Sequence, residues 1–415
     1  MVIQANPIPL PVIGRKKKIL VLISLGGGGH KTAAESLRQI LGSQYDVEIN
    51  PVMADILGHM DPLNGLTRGR FTGEDLYNFL IKNQFNKILR WIVIYGSRVW
   101  KAKRIEKGFK KYFQKQQQLP DLIISVTPFI NYGTALATQR RDIPFLIIPT
   151  DLDASTFLQG FPKQLTHHQF KIALAYDDPE IKKTTFNKSE FRDEQMTITG
   201  FPVRPACLKK YSREELRSIR IKFHLFESHQ TVTLIMGAVG GNLILDHVKV
   251  LSKLDPREHQ LQLQMNICIG HNKKVGKKIR NFLLEQGARF LGRHTFILPS
   301  GLVMHVRGYC PDLAEMMAAS DIVITKTGSC TVNEAIYLGK KILLDNTPDS
   351  TARYLDWEAF NVPFVERNGL GYAFSDNEQL LMLIPSLLKY PEKRRSLELP
   401  NFEENILKLV QELIE

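Results

Sequence analysis

Short apolar runs rich in Ile, Val and Leu recur along the chain, each bounded by turn residues and followed by segments with helical spacing. "ILVLISL", "LIISV", "FLIIPT" and "IALAY" lie in the first half, and "VTLIMG", "MNICIG", "DIVITK" and "KILLD" in the second. Runs this short, apolar on both faces and separated by helices, read as buried parallel strands, so the class is α/β. Near the middle, "TGFPVRP" gathers Gly200, Pro202 and Pro205, the punctuation of a linker. A second alternation follows, opened by Ser212 and Glu215 at capping-box spacing before "REELRSIRIKFHL". The tail, "NEQLLMLIPSLLKY" and "EENILKLVQELIE", has apolar spacing of three and four and predicts helices. The expected organisation is a flexible arm over 1–15, a βαβ domain over 16–199, a linker over 200–205, a second βαβ domain over 206–376 and helices over 377–415.

Length agrees with this division, since 415 residues exceed what one hydrophobic core usually supports. With 43% apolar and 23% charged residues the composition is that of a soluble globular protein. Cys207, Cys268, Cys310 and Cys330 lie far apart with no paired spacing, so neither a disulfide framework nor a metal site is expected, and a reducing cytoplasm suits the chain. The start, "MVIQANPIPLPVIGRKKK", puts its charges after a proline-broken apolar stretch, the reverse of a secretory signal. No run reaches the roughly 18 apolar residues of a membrane span, so any membrane contact is expected to be peripheral.

Charge changes the picture locally. The net charge is +13, and the stretch from Lys82 to Lys115 holds eleven Lys and Arg against one acid, Glu106, leaving only +3 for the rest. Its cations include Lys82, Arg90, Arg98, Lys103, Arg104, Lys110 and Lys111, interleaved with Trp91, Trp100, Phe109 and other apolar residues. Such mixing suits a helix lying on an anionic lipid surface, although a solvated basic face has the same composition. No nucleic-acid motif accompanies the charge, and no nucleic-acid partner is expected.

The candidate chemistry starts with "ISLGGGGHKTAAES". Strand, glycine loop and helix bring backbone amides to face a ligand, with Gly27, Gly28 and Gly29 allowing close approach. The loop fits neither the P-loop pattern nor the dinucleotide fingerprint. His30 at the helix entrance has its cationic form disfavoured by the dipole, which leaves a neutral ring able to accept a proton. A ring that only caps or packs would look the same in sequence. In the second half, "LIMGAVGGN" supplies Gly237, Gly240 and Gly241, and "ITKTGSCTVNEA" supplies Thr327, Gly328 and Ser329 before a helix expected near Thr331. Each loop offers donors for a diphosphate. Glu334 could close a capping box with Thr331 or accept from ribose hydroxyls, and spacing leaves both open.

"GGGGHKTAAES", "TDL" at 150–152, "GFPVRP", "VRGYCPDLAEMMAASDIVITKTGSCTVNEA" and "NVPFVERNGLG" together resemble the monogalactosyldiacylglycerol synthase and processive diacylglycerol glucosyltransferase family, of the family 28 type, from about residue 16 to 375. The resemblance implies a GT-B fold, two Rossmann-like domains facing a cleft, that transfers a hexose from a UDP-sugar to diacylglycerol with inversion and makes a glycoglycerolipid. It implies no tightly bound cofactor and a peripheral position on the cytoplasmic face of a membrane. On the matching motifs, the first domain receives the lipid, His30 is the base, Tyr309 and Cys310 lie against uracil, Gly328 and Thr331 meet the diphosphate, and Glu334 meets the ribose. The C-terminal helices would cross back to the first domain. Three departures stand out: the family's "KAGPGT" is "KTGSCT" here, its sugar-contacting Gln-Glu pair appears as Trp357 and Glu358, and "DASTFLQGF" replaces the usual histidine and tryptophan after "TDL". Two rival readings share these motifs: an N-acetylglucosaminyltransferase acting on the peptidoglycan lipid precursor, and a non-catalytic membrane-bound sugar-nucleotide binder. Galactose and glucose differ by one hydroxyl configuration, and the motifs suit both.

Overall fold

The computed structural model describes residues 15–26, 28–68, 70–82, 102–162, 167, 169–186, 191, 193–237, 243–351, 355, 357–390 and 397–415. Fourteen strands form two sheets among them. The first holds β1 (Lys18–Ile23), β2 (Asp46–Pro51), β3 (Leu122–Ser125), β4 (Phe145–Ile147), β5 (Phe170–Leu174) and β6 (Met196–Ile198) in the order β2-β1-β3-β4-β5-β6. All its pairings are parallel. The second holds β7 (Gln230–Ile235), β8 (Leu263–Cys268), β9 (Arg289–Gly292), β10 (Thr295–Ile297), β11 (Val303–Arg307), β12 (Ile322–Thr325), β13 (Lys341–Asp345) and β14 (Gly371–Phe374), in the order β14-β13-β12-β7-β8-β11-β10-β9. Only β10 runs antiparallel to its neighbours β9 and β11.

All eight apolar runs are strands. Four of the six that the pattern did not single out, β2, β6, β9 and β14, are the sheet edges, which face water along one side and need no continuous apolar run. The fifth, β11, is interrupted by His305, a fully buried ring held by Thr295 Oγ1 at 2.9 Å and Gln264 Oε1 at 3.2 Å. The sixth, β10, is only three residues long.

The helices that matter for the site are α1 (Gly29–Leu41), α2 (Gly73–Lys82), α3 (Ala102–Lys115), α4 (Lys273–Glu285), α5 (Ser329–Tyr337), α6 (Asn377–Lys389) and α7 (Phe402–Ile414). The capping box of the helix Arg213–Lys222 is complete, with Ser212 accepting from the Glu215 amide and Glu215 from the Ser212 amide. In the basic stretch, Lys82 closes α2, while Arg90, Trp91, Arg98 and Trp100 lie outside the described residues. The remainder is α3, which exposes Lys103, Arg104, Lys110 and Lys111 but buries Ile105, Phe109 and Phe113 in the first core. That apolar stripe packs on protein, which corrects the expectation that Phe109 belongs to a lipid-facing mixture.

The two tail helices part company. The α6 helix buries Leu380, Ile384 and Leu387 in the core of the second sheet. Only α7 crosses back, burying Phe402, Ile406, Leu409 and Val410 against Ile19, Val21, Leu122 and Ile124 of the first sheet. Polar contacts join the two halves beside this crossing. The Tyr337 hydroxyl accepts from the Phe201 amide at 3.2 Å and donates to the Pro400 carbonyl at 2.9 Å. Tyr176 donates to Asn333 Oδ1 at 2.7 Å, and Arg367 donates to both carboxylate oxygens of Asp178 at 2.8 Å.

Strand order reverses between β1 and β3 in the first sheet and between β7 and β12 in the second. Crevices at such reversals, beyond the carboxyl ends of the strands, are where open α/β sheets bind ligands. The glycine loop follows β1, and the loops containing Gly237 and Thr327–Ser329 follow β7 and β12.

Candidate functional site

His30 stands in the first turn of α1, whose N-cap, Gly28, offers no side-chain cap. Its Nδ1 lies 2.6 Å from the Val126 carbonyl oxygen, at the end of β3. A carbonyl can only accept, so Nδ1 carries the proton and donates, and Thr150 Oγ1 at 3.2 Å shares that N–H. The other nitrogen, Nε2, is therefore left with its lone pair. Desolvation holds the imidazole below its usual pKa, against the opposing pull of the Val126 carbonyl. Tautomer and neutrality are those of a proton acceptor. The glycine loop itself is shaped by Glu74 of α2, whose Oε1 accepts from Ser24 Oγ at 2.7 Å and the Leu25 amide at 2.9 Å. Burial raises that carboxyl's pKa, against the lowering effect of both bonds. Of the glycines expected to face a ligand, Gly28 and Gly29 form the helix entrance, and Gly27 lies outside the described residues.

Across the cleft, α5 begins at Ser329, two residues earlier than the sequence suggests, with Gly328 as N-cap and no side-chain cap. Thr331 is thus inside the helix, and the capping box with Glu334 is absent. Glu334 is buried and instead receives Arg204 of the linker in a bidentate pair, Nε at 2.6 Å and Nη2 at 2.7 Å. Lys326, just before the loop, pairs with Glu358 at 2.7 Å. Burial works against the Lys326 charge, but Glu358 and Asp151 more than offset it and its pKa rises. Gly328 makes room for this lysine, since a Cβ there would stand 3.2 Å from Lys326 Cε.

Ser329 Oγ donates across the cleft to Asp151 Oδ1 at 2.9 Å. Desolvation pushes the Asp151 carboxyl up to about 7, with Glu358 adding to the rise, while the Ser329 bond and Lys326 oppose it. Asn361 Nδ2 donates to the Thr327 carbonyl at 2.7 Å and to Ser329 Oγ at 3.0 Å. Thr327 Oγ1 and Asn361 Oδ1, beside these bonds, are buried polar atoms without a partner among the described residues. Trp357 is half-buried and meets Phe129 of the first half edge-on, ring centroids 6.2 Å apart. Tyr309 is 58% exposed and stacks on His271 at 4.4 Å, with Cys310 half-buried beside it. Gly237, two residues after β7, is in the left-handed region at φ 81°; Gly240 and Gly241 lie outside the described residues.

The geometry thus gathers His30, Asp151, Lys326, Ser329 and Glu358 about one cleft. Asp151, Lys326 and Asn361 sit inside the motifs "TDL", "DIVITK" and "NVPFVERNGLG", yet only their contacts in the structure reveal their part; Glu74 lies in none of the motifs. Among the described residues no cluster of His, Cys, Asp or Glu could hold a metal ion, and no helix is long and apolar enough to cross a membrane.

Residues 243–398 match the glycosyltransferase family 28 C-terminal domain. The glycosyltransferase 28 domain thus covers α5, Lys326, Trp357 and Glu358. The chain's resemblance to monogalactosyldiacylglycerol synthases runs over most of its length. It is 27% identical over 379 residues to monogalactosyldiacylglycerol synthase 1, chloroplastic, of Arabidopsis thaliana, covering 86% of this chain and 62% of that protein. It is 25% identical over 374 residues to the corresponding protein of Spinacia oleracea, covering 86% of this chain and 63% of that one. The chain therefore spans under two thirds of the length of these relatives. The crystal structure of Acinetobacter baumannii MurG superposes with a TM-score of 0.55 at 14% identity, covering 95% of this chain and 99% of that one. That likeness is one of fold, and the fold is GT-B.

Proposed function

We propose that this protein is an inverting glycosyltransferase that moves a hexose from a UDP-sugar to diacylglycerol at an anionic membrane surface. The observation that carries the reading is the Val126 carbonyl on His30 Nδ1, which leaves Nε2 with its lone pair on a helix whose first residue, Gly29, abuts Cys330 at the uncapped start of α5. His30 Nε2 takes the proton of the lipid hydroxyl as its oxygen bonds to C1 of the sugar. The bond from C1 to the diphosphate breaks on the opposite face, and UDP departs with the electron pair. The first-turn amides of α5 and the Lys326 ammonium stabilise that developing charge. Gly328, Ser329 and Thr331 receive the diphosphate in this scheme, with the loop of Gly237, Gly240 and Gly241 beside it. Tyr309 and Cys310 lie against the uracil, and Trp357 and Glu358 face the hexose. Glu334 meets the ribose only if its pair with Arg204 opens. In this reading the exposed cations of α3, Lys103, Arg104, Lys110 and Lys111, attract the anionic surface, and the protein works as a peripheral one on the cytoplasmic face, where UDP-sugars are made.

The test is to incubate the purified full chain with diacylglycerol liposomes and a panel of labelled UDP-sugars, and to read the product and its anomer. Transfer of a hexose with inversion is expected. Because an indole at Trp357 has one donor and no acceptor, rates with UDP-glucose and UDP-galactose should agree within about tenfold, or ~1.4 kcal/mol. UDP binding without transfer to any acceptor overturns the reading in favour of a sugar-nucleotide binder. Transfer only of N-acetylglucosamine to a peptidoglycan precursor overturns it in favour of the other enzyme.

A further inference from the structure

We infer that the outer edge of the second sheet, where α4 meets the β9–β10 hairpin, is a second docking surface for anionic lipid. Residues 271–294 hold seven cations, Lys273, Lys274, Lys277, Lys278, Arg280, Arg289 and Arg293, against one acid, Glu285. That net +6 is the largest charge concentration outside the stretch from Lys82 to Lys115. The four lysines and Arg289 are exposed, and none has an acidic partner among the described residues.

Apolar side chains stand among these charges. Leu284 on α4 is 53% exposed, and Phe290 and Leu291 on β9 are 56% and 44% exposed. The β9 strand is a sheet edge, where a protein at ease in water places charge and hides bulky apolar groups. Lys273, Lys277, Arg280 and Leu284 fall on one stripe of α4 by helical spacing. Arg280 Nη2 lies 3.5 Å from His294 Nδ1, which brings that stripe against the hairpin tip. At the tip, Arg293 (φ 47°) and His294 (φ 69°) both occupy the left-handed region, a two-residue turn that favours Asn-Gly. Both residues are exposed at a conformational cost, with the Arg293 guanidinium 3.2 Å from His224 Nε2 and His294 against Arg280.

Charge complementarity decides the occupant. An array of unpaired lysines around three separate apolar side chains matches an anionic headgroup layer with acyl chains beneath it. The β9 strand runs parallel to β11 by way of β10, so the tip lies at the carboxyl end of the sheet, the end that carries Tyr309 and the α5 loop. A surface there, together with the exposed cations of α3, gives each half of the molecule its own attachment. The inference rests on the proposed lipid-handling function, but its test needs neither donor nor acceptor.

The full chain is sedimented with phosphatidylcholine vesicles, with and without phosphatidylglycerol, and without diacylglycerol. Replacing Lys273, Lys274, Lys277 and Lys278 by Gln should weaken partition onto the anionic vesicles by at least about tenfold at low salt, and less as salt rises. Phe290→Ser with Leu291→Ser should weaken it several-fold at every salt concentration. UDP affinity, measured on each variant, should stay at the level of the unsubstituted protein and so reports that the second domain is folded. Unchanged partition of both folded variants overturns the inference. So does a change in self-association without a change in partition, which would assign the edge to a second copy of the chain. Loss of hexose transfer with normal vesicle binding would reject the proposed function and leave this surface standing.

Discussion

The loop after β1 and the loop after β12 share one architecture: a buried parallel strand, a short glycine turn and a helix whose first turn no side chain caps. Their chemistry differs. The first offers backbone amides, one neutral imidazole and, at its base, a carboxyl whose pKa is raised. The second is crowded with charge, having Lys326 and Glu358 on one side and Asp151 reaching in from the other. A helix N-terminus supplies the same partial positive charge in both places, so the side chains around it decide the outcome. In the first loop burial holds the imidazole pKa down, and in the second the proposed scheme has the helix charge add to Lys326 in holding the diphosphate. The two loops touch: a Cβ on Gly29 would stand 3.0 Å from Cys330 Sγ.

The sharpest way to break this comparison is His30→Ala. Turnover should fall by about a hundredfold or more while UDP affinity changes little, because only the first loop is altered. Turnover near the original level would reduce His30 to a packing residue. Lys326→Gln should act the other way round. UDP affinity and kcat/KM should each fall about tenfold or more, as an uncompensated Glu358 carboxylate then faces the diphosphate site. Isothermal titration with UDP checks this, and unchanged affinity would remove Lys326 from the anion site.

Asp151 sharpens the comparison through pH. Its carboxyl is pushed up to about 7 by burial, so UDP affinity should weaken as pH rises through that value and the group ionises opposite Ser329. Asp151→Asn should flatten the profile. The sign for stability is the same: between about pH 4 and 7 the folded protein holds a proton that the unfolded chain releases, so stability falls as pH rises across that window. Melting curves of the wild type and of Asp151→Asn across that range would show the slope in the first and its loss in the second. The smallest effect belongs to the contact between the loops. Gly29→Ala should cost about 1 kcal/mol and a few-fold in turnover through its collision with Cys330, and adding Cys330→Gly should restore both. Failure of the second change to rescue the first would place the strain elsewhere.

Reading the sequence finds the buried strands and both loops because each has a local signature, an apolar run ended by glycine. It misses the edge strands, since water on one side relaxes the pattern that reveals a strand. Glu334 shows another limit. Its spacing from Thr331 allows a capping box or a ribose contact; the structure shows no capping box and reveals an ion pair with Arg204, 130 residues away. The bond between Ser329 and Asp151 spans 178 residues and has no local trace. Helical spacing in α3 marks an amphipathic stripe but cannot say whether Phe109 meets lipid or protein. The basic edge at residues 271–294 is visible in composition, yet it becomes a surface only once β9 and α4 lie side by side.

The return of α7 to the first sheet bears on how the molecule is made. Strands β1 to β6 are complete by Ile198, but the face of the sheet that Phe402, Ile406, Leu409 and Val410 cover stays bare until those residues leave the ribosome. At ~5–20 residues per second, about 200 intervening residues mean a delay of roughly 10 to 40 seconds, during which the second half is synthesised and can fold. The nascent chain must shelter an apolar sheet face through that interval, by provisional packing or by a chaperone. The order of assembly therefore runs against the order of the sequence: the half that is translated first is the last to be finished.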